Sequence, residues 1–117
     1  MCKKILLKGI SANRGKVKGR ARIIKGDTIN DAELLKHLSK VKQGEILITE
    51  MTRPLFVAAM RKVRGIITDR GGILCHAAMV AREFNLPCVV NTREATRKLK
   101  NGQEILLDAD KGIIYEL

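Results

Sequence analysis

The residues with the most chemistry to offer lie together in the stretch Thr68-Asp69-Arg70-Gly71-Gly72-Ile73-Leu74-Cys75-His76-Ala77-Ala78-Met79. It reads as a strand end, a glycine loop and the start of a helix over 75–84, with one of the chain's two histidines where the helix begins. The first N–H groups of a helix have no partner inside it and carry partial positive charge, so an anion placed there gains hydrogen bonds and a favourable dipole. Gly71-Gly72 lets the backbone turn sharply and leaves the site open, and Ala77 and Ala78 keep the next positions small. A neutral imidazole is nucleophilic near pH 7, and the positive helix end disfavours imidazolium. This pattern makes His76 a candidate phosphoryl acceptor, its product held by the same dipoles.

Several neighbours suit a phosphate site. Arg53, Arg70 and Arg82 offer guanidinium groups, Thr52 and Thr68 offer hydroxyls, and Asp69 could orient the loop or the imidazole. Each also has a plainer reading as a helix cap or surface charge. Cys75 adjoins His76, but neighbours at a helix start do not usually face each other, so a cysteine–histidine pair is a poor alternative. His37 falls beside Lys36 and Lys40 on the expected wet face of its helix and reads as a surface residue.

The elements that must position this loop follow from periodicity. Residues 5–10 read as a short strand, and 19–24 alternate polar and apolar as a half-buried strand does. Asn30, with Glu33 three residues later, begins a helix over 31–41 that has Leu34, Leu35, Leu38 and Val41 on one stripe. A strand over 45–49 leads to Thr52-Arg53-Pro54 and a helix over 54–63 that buries Val57, Met60 and Phe56. Gly65-Ile66-Ile67-Thr68 is apolar throughout, as expected of a central strand. Asn85 and Pro87 end the histidine helix, and Cys88-Val89-Val90 is another buried strand. Asn91-Thr92 caps a basic helix over 92–100, and 104–108 with 112–116 make a hairpin. Strands at the start, alternation in the middle and a hairpin at the end predict one layered α/β or α+β domain over 1–117, not a plain doubly wound sheet.

Composition narrows the class. At 117 residues the chain is long enough for an aliphatic core, which it needs, having no Trp, one Tyr and two Phe. No apolar run approaches the roughly 20 residues of a membrane span, and Ile5 to Leu7 is too short for a signal-peptide core, so a cytoplasmic protein is expected. Cys2, Cys75 and Cys88 form no C-x-x-C pair, which argues against zinc and redox pairing and for small buried hydrophobes. The net charge of +11 allows nucleic acid, other phosphates or an acidic partner protein. Lys and Arg are densest over 14–25 and 93–100, and the scarcity of aromatics argues against a single-strand binder.

Gly71-Gly72-Ile73-Leu74-Cys75-His76-Ala77-Ala78-Met79-Val80-Ala81-Arg82-Glu83, followed by Leu86-Pro87-Cys88-Val89-Val90-Asn91-Thr92, resembles the signature of the phosphohistidine swivelling domain, the mobile domain of phosphoenolpyruvate-utilising enzymes. Lys8-Gly9-Ile10-Ser11-Ala12, Gly44 to Thr49, Met51-Thr52-Arg53-Pro54 and Asn101-Gly102-Gln103 extend the likeness along nearly the whole chain. The family includes domains of phosphoenolpyruvate synthase, pyruvate phosphate dikinase and enzyme I of the sugar phosphotransferase system. The resemblance implies a swivelling β/β/α fold. It implies phosphorylation at His76, with Gly71, Gly72, Cys75, Ala77, Arg53, Asp69, Arg70 and Thr52 in support. It also implies delivery between an ATP-grasp site and a pyruvate or phosphoenolpyruvate site, where ATP and Mg²⁺ belong. Leu74 stands where many relatives have Thr, Asn91 where Gly is usual, and Leu55 where an acidic residue is common. The sequence offers no P-loop or metal-ligand cluster, so the chain is expected to bind no cofactor itself and to act in trans as a carrier subunit for separate ATP-grasp or phosphoenolpyruvate-binding partners. The rival readings are a basic nucleic-acid-binding module and a non-catalytic regulatory domain.

Overall fold

The computed structural model describes residues 4–117; Cys2 lies outside them. In chain order come β1 (Ile5–Lys8), β2 (Ile10–Asn13), β3 (Lys16–Ile24), α1 (Asp31–Leu38), β4 (Ile46–Thr49) and a 3-10 turn, Pro54–Phe56, that runs into α2 (Val57–Met60). They are followed by β5 (Gly65–Thr68), α3 (His76–Phe84), β6 (Cys88–Val90), α4 (Ala95–Lys98), β7 (Glu104–Asp108) and β8 (Ile113–Glu116). The strands lie in the order β1-β8-β7-β3-β4-β5-β6-β2. β3 to β6 are parallel and the remaining pairs antiparallel.

Two long runs of chain each serve both halves of this sheet. The first part of β3, Lys16 to Arg20, pairs with β7, and its last part, Ala21 to Ile24, pairs with β4. Residues 5–13 do the same at the other side, β1 pairing with β8 and β2 with β6. The single strand expected over 5–10 is therefore two strands, divided at Gly9. There the backbone N–H donates to the Gly112 carbonyl at 2.8 Å, and a Cβ would lie 2.5 Å from the Val90 carbonyl oxygen. Only glycine fits where the chain crosses between layers.

The two halves stack over Ile46, Ile48, Ile67, Val89, Ile105, Leu107 and Ile114. On the opposite face of β4 to β6, Leu47, Ile66, Cys88 and Val90 pack with Leu34, Phe56, Met60, Ala77 and Ala81 under the helices. The result is a layered α/β fold in which β4 and β5 are buried on both faces, which is why their sequences are apolar without alternation. The first and last described segments meet at one edge: Ile5 faces Tyr115, and the Glu116 N–H donates to the Lys4 carbonyl at 2.8 Å. Among the described residues no helix is long and apolar enough to cross a membrane.

The helices are shorter than their patterns suggest. Asn30 caps α1 as expected, its side chain accepting from the Glu33 N–H at 2.9 Å, but α1 stops at Leu38 and leaves Leu35 half exposed. The helix expected over 54–63 is one 3-10 turn and one α turn, burying Phe56, Ala59 and Met60 while Val57 is only half buried. The basic helix expected over 92–100 shrinks to Ala95–Lys98. Its planned cap is used elsewhere: Asn91 and Arg93 take left-handed backbone (φ 58° and 71°), and the Thr92 hydroxyl donates to the Thr68 carbonyl at 2.9 Å.

Candidate functional site

The carboxyl ends of β4, β5 and β6 carry three loops, and ligands of parallel sheets gather at such ends. Backbone hydrogen bonds continue the sheet into them. Asp69 N–H donates to Thr49 O (3.1 Å) and Arg70 N–H to Glu50 O (3.1 Å); Thr92 N–H donates to Thr68 O (3.1 Å) and Arg93 N–H to Asp69 O (2.8 Å). The loops after the strands are therefore fixed relative to one another before any side chain acts.

His76 is the first residue of α3, and Cys75 is its N-cap, with extended backbone and no side-chain capping bond. The first hydrogen bond of the turn runs from Met79 N–H to Cys75 O at 3.0 Å. The N–H groups of His76, Ala77 and Ala78 thus have no acceptor within the helix. The side chains of Ala77 and Ala78 are buried, so only their backbone faces the helix end. Thr52, 24 residues earlier and buried, brings its Oγ1 to 2.8 Å from the His76 Nδ1. Its hydroxyl serves the imidazole and not the Pro54 turn, whose N-cap is Arg53. Partial burial holds the His76 pKa below its ordinary value, and the helix end acts in the same direction.

The remaining residues singled out in the sequence divide into two groups. Gly71 has a φ of +114°, and a Cβ on it would meet Met51 Cε at 2.5 Å and Cys75 Sγ at 2.9 Å. Gly72 has neither constraint: a Cβ there meets nothing within 4 Å, and its carbonyl accepts from Cys75 N–H at 3.1 Å. Of the two glycines, Gly71 sets the loop and Gly72 keeps space open. Cys75 is half buried, unlike the fully buried Cys88, and its thiol packs toward Gly71. Burial pushes the Cys88 thiol pKa up to about 12, leaving it an inert hydrophobe.

The three arginines are engaged away from the imidazole. Arg70 makes two hydrogen bonds to the Asp27 carboxylate, at 2.6 and 3.2 Å, which lower the Asp27 pKa and raise that of Arg70. Arg53 lies 3.4 Å from Asp31. Arg82 donates to the Ile73 carbonyl and ties the loop to the outer face of α3. Thr68 is likewise committed, its hydroxyl donating to Arg70 O at 2.6 Å.

Asp69 orients the loop and not the imidazole: its buried carboxylate accepts from Thr96 N–H (2.9 Å) and Thr96 Oγ1 (2.5 Å), joining the loop to α4. We expect Asp69→Ala to cost about 2–3 kcal/mol in a denaturant melt, because two buried donors lose a charged acceptor. A change below about 0.5 kcal/mol would mean that this bridge does not hold the loop.

Asp27, Thr96 and Met51 were not evident as site residues, because each is joined to the loop only by the fold. Nor was the exposure of Ile73 (55%), Leu74 (81%) and Met79 (53%), three large hydrophobics within three residues of His76 in the chain. Among the described residues no group of three or more His, Cys, Asp or Glu side chains is placed to hold a metal ion.

Residues 41–112 match the family described as PEP-utilising enzyme, mobile domain. The chain belongs to this family. It is 45% identical over 113 residues to the probable phosphoenolpyruvate synthase of Archaeoglobus fulgidus, a stretch covering 97% of this chain and 14% of that protein. It is 44% identical over 112 residues to the phosphoenolpyruvate synthase of Pyrococcus furiosus, covering 96% of this chain and 13% of that one. This PEP-utilising mobile domain thus spans about one seventh of the length of those synthases. Among solved structures, the solution structure of Enzyme I (nEIt) matches with a TM-score of 0.57 and 32% identity, over 66% of this chain and 32% of that one. Aconitase X of Thermococcus kodakaraensis, with a TM-score of 0.68 and 19% identity over 95% of this chain and 97% of that one, shares the fold alone. The family and its phosphoenolpyruvate synthase relatives make this a phosphotransfer-type domain.

Proposed function

We propose that this domain is a phosphoryl carrier, charged on His76 and discharged at a second site on separate catalytic domains. The observation that carries the reading is the Thr52–His76 contact. With Nδ1 engaged by Thr52, Nε2 is the ring nitrogen left to react. When the Thr52 oxygen accepts the Nδ1–H, the neutral tautomer has its lone pair on Nε2. That lone pair attacks the phosphorus of the donor; the N–P bond forms as the P–O bond to the leaving group breaks, and the bonding pair departs on the leaving oxygen. The ring then carries positive charge beside the phosphoryl oxygens, and Nδ1–H continues to donate to Thr52. Discharge reverses the sequence with an acceptor oxygen as nucleophile. Because Arg53 and Arg70 are paired with Asp31 and Asp27 and Arg82 donates to the Ile73 carbonyl, the free N–H groups of α3 are this chain's main contribution to holding the anion, and further cations come from the partner. Donor activation, Mg²⁺, ATP and phosphoenolpyruvate or pyruvate belong to ATP-grasp and phosphoenolpyruvate-type partner sites.

The direct test is intact-mass measurement after incubation with a partner phosphotransferase and its donor. One phosphoryl group is expected, labile in acid and stable in base. A group that survives acid would place the phosphate on a hydroxyl and overturn the assignment. Thr52→Val, which keeps the shape and removes the hydroxyl, should slow phosphorylation by about tenfold to a hundredfold, as for other groups that position a catalytic base. Thr52→Ser should recover most of the rate, and an unchanged rate in Thr52→Val would exclude tautomer control.

A further inference from the structure

Little of the +11 charge is committed at the His76 site, where Arg53 and Arg70 are paired with Asp31 and Asp27 and Arg82 donates to the Ile73 carbonyl. A large part of it collects at the other ends of the same strands. β3 alternates Lys16, Lys18, Arg20 and Arg22 on its outer face, with Val17, Gly19 and Ala21 turned inward. Beside it, at the amino ends of β4 and β5, lies a hollow of about 630 Å³ lined by Lys18, Arg20, Arg22, Lys42, Glu45 and Arg64. Its one carboxylate is already spent on Arg22, through a bidentate pair at 2.9 and 3.0 Å. Among the described residues no carboxylate comes within 4 Å of the Lys18 or Lys42 ammonium or the Arg64 guanidinium. Lys18 and Arg20 also form one wall of a second hollow of about 270 Å³, which holds the Glu104 carboxylate 3.9 Å from Arg20 and ends on the exposed side chain of Leu117.

We infer that these two hollows are a docking groove for an extended acidic segment of a partner protein. Two hollows either side of the Lys18–Arg20 rung suit a chain laid across them better than one small anion. Unpaired ammonium and guanidinium heads call for carboxylates, and Leu117 offers an apolar contact at one end. No aromatic side chain lines either hollow, so nucleic-acid bases have nothing to stack on. The groove lies at the ends of β4 and β5 opposite to His76. A segment held there would tether the domain and leave the histidine free to visit active sites. That use as a tether rests on the carrier reading; the binding itself does not.

The test uses the whole chain and a fluorescein-labelled oligoglutamate peptide, followed by anisotropy. Lys42→Glu with Arg64→Glu should weaken binding at least about tenfold, while Lys36→Glu with Lys40→Glu, the same charge change on α1 and the turn after it, should weaken it less than about twofold. Lys42→Gln with Arg64→Gln should fall between the wild type and the double reversal, with an unchanged melting profile. His76→Ala should bind the peptide as the wild type does, which separates this inference from the carrier reading. Equal losses from the two pairs of reversals would show diffuse attraction and overturn the groove. So would a single-stranded oligonucleotide of matched charge that binds there more tightly than the peptide.

Discussion

His76→Ala is expected to accept no phosphoryl group under conditions in which the wild-type domain is stoichiometrically charged. No other described side chain combines a neutral nucleophile with the start of α3: Thr52 is buried, the Cys75 thiol packs toward Gly71, and His37 lies exposed on α1. The fold should survive the substitution. His76 is only partly buried and makes one side-chain hydrogen bond among the described residues, so the loss should be about 1 kcal/mol, the cost of a Thr52 hydroxyl without its partner. Intact mass and a denaturant melt on the same sample separate the two effects, and residual labelling of the variant at the wild-type level would remove His76 from the mechanism. The pH profile offers an independent check. Because the His76 pKa lies below its ordinary value of about 6.5, the reactive neutral ring persists to lower pH. The labelling rate should therefore begin to decline only at a lower pH than an imidazole of ordinary pKa would set. An NMR titration midpoint above 7 would contradict both the burial and the proposed state of the ring.

The second large effect is expected at Gly71, in contrast to its neighbour. Gly71→Ala places a Cβ on a backbone with φ of +114° and against Cys75, the residue that precedes the nucleophile. Met51 can withdraw its flexible end, but Cys75 cannot move without dragging the first turn of α3. Strain and displacement together should cost about 2–4 kcal/mol and should reduce the phosphorylation rate beyond what the stability loss explains. Gly72→Ala enters open space and should change stability by no more than about 0.5 kcal/mol. The pair of variants is best compared by melts and by labelling rates at a temperature where both are folded. Similar behaviour in the two would mean that the loop is not held by Gly71.

Local patterning made much of this fold legible. The unbroken apolar strands at 46–49 and 65–68, the Asn30 cap and the left-handed Asn85 after α3 depend on residues close in the chain, and all are found. The site was legible for the same reason in its centre, where a strand end, a glycine of positive φ and a helix start are consecutive. It was illegible where the fold joins distant segments. Arg70 looked like a phosphate ligand because nothing in its neighbourhood reveals Asp27, 43 residues earlier. Asp69 looked like a partner for the imidazole because Thr96 is 27 residues away. Thr92 has the composition of a helix cap, yet the open carbonyl of Thr68 was the stronger claim on its hydroxyl. The split at Gly9 depends on Gly112 and Val90, which no local pattern announces. The swivelling motion and the partner subunits came from the family resemblance alone, whereas His76 as a candidate phosphoryl acceptor came from the residues of its own loop as well.

The pairing of Lys4 with Glu116 has a mechanical consequence. Lys4 and Glu116 are joined by a hydrogen bond of 2.8 Å, so the incoming and outgoing backbone pass through nearly the same point. A unit spliced by both ends into a longer polypeptide through such a point can turn like a paddle on a single stem. No strand has to stretch or slide for it to rotate. The reach of its reactive residue is then set by the length and stiffness of the stem, and the interior is free to stay as tightly packed as in a protein that never moves.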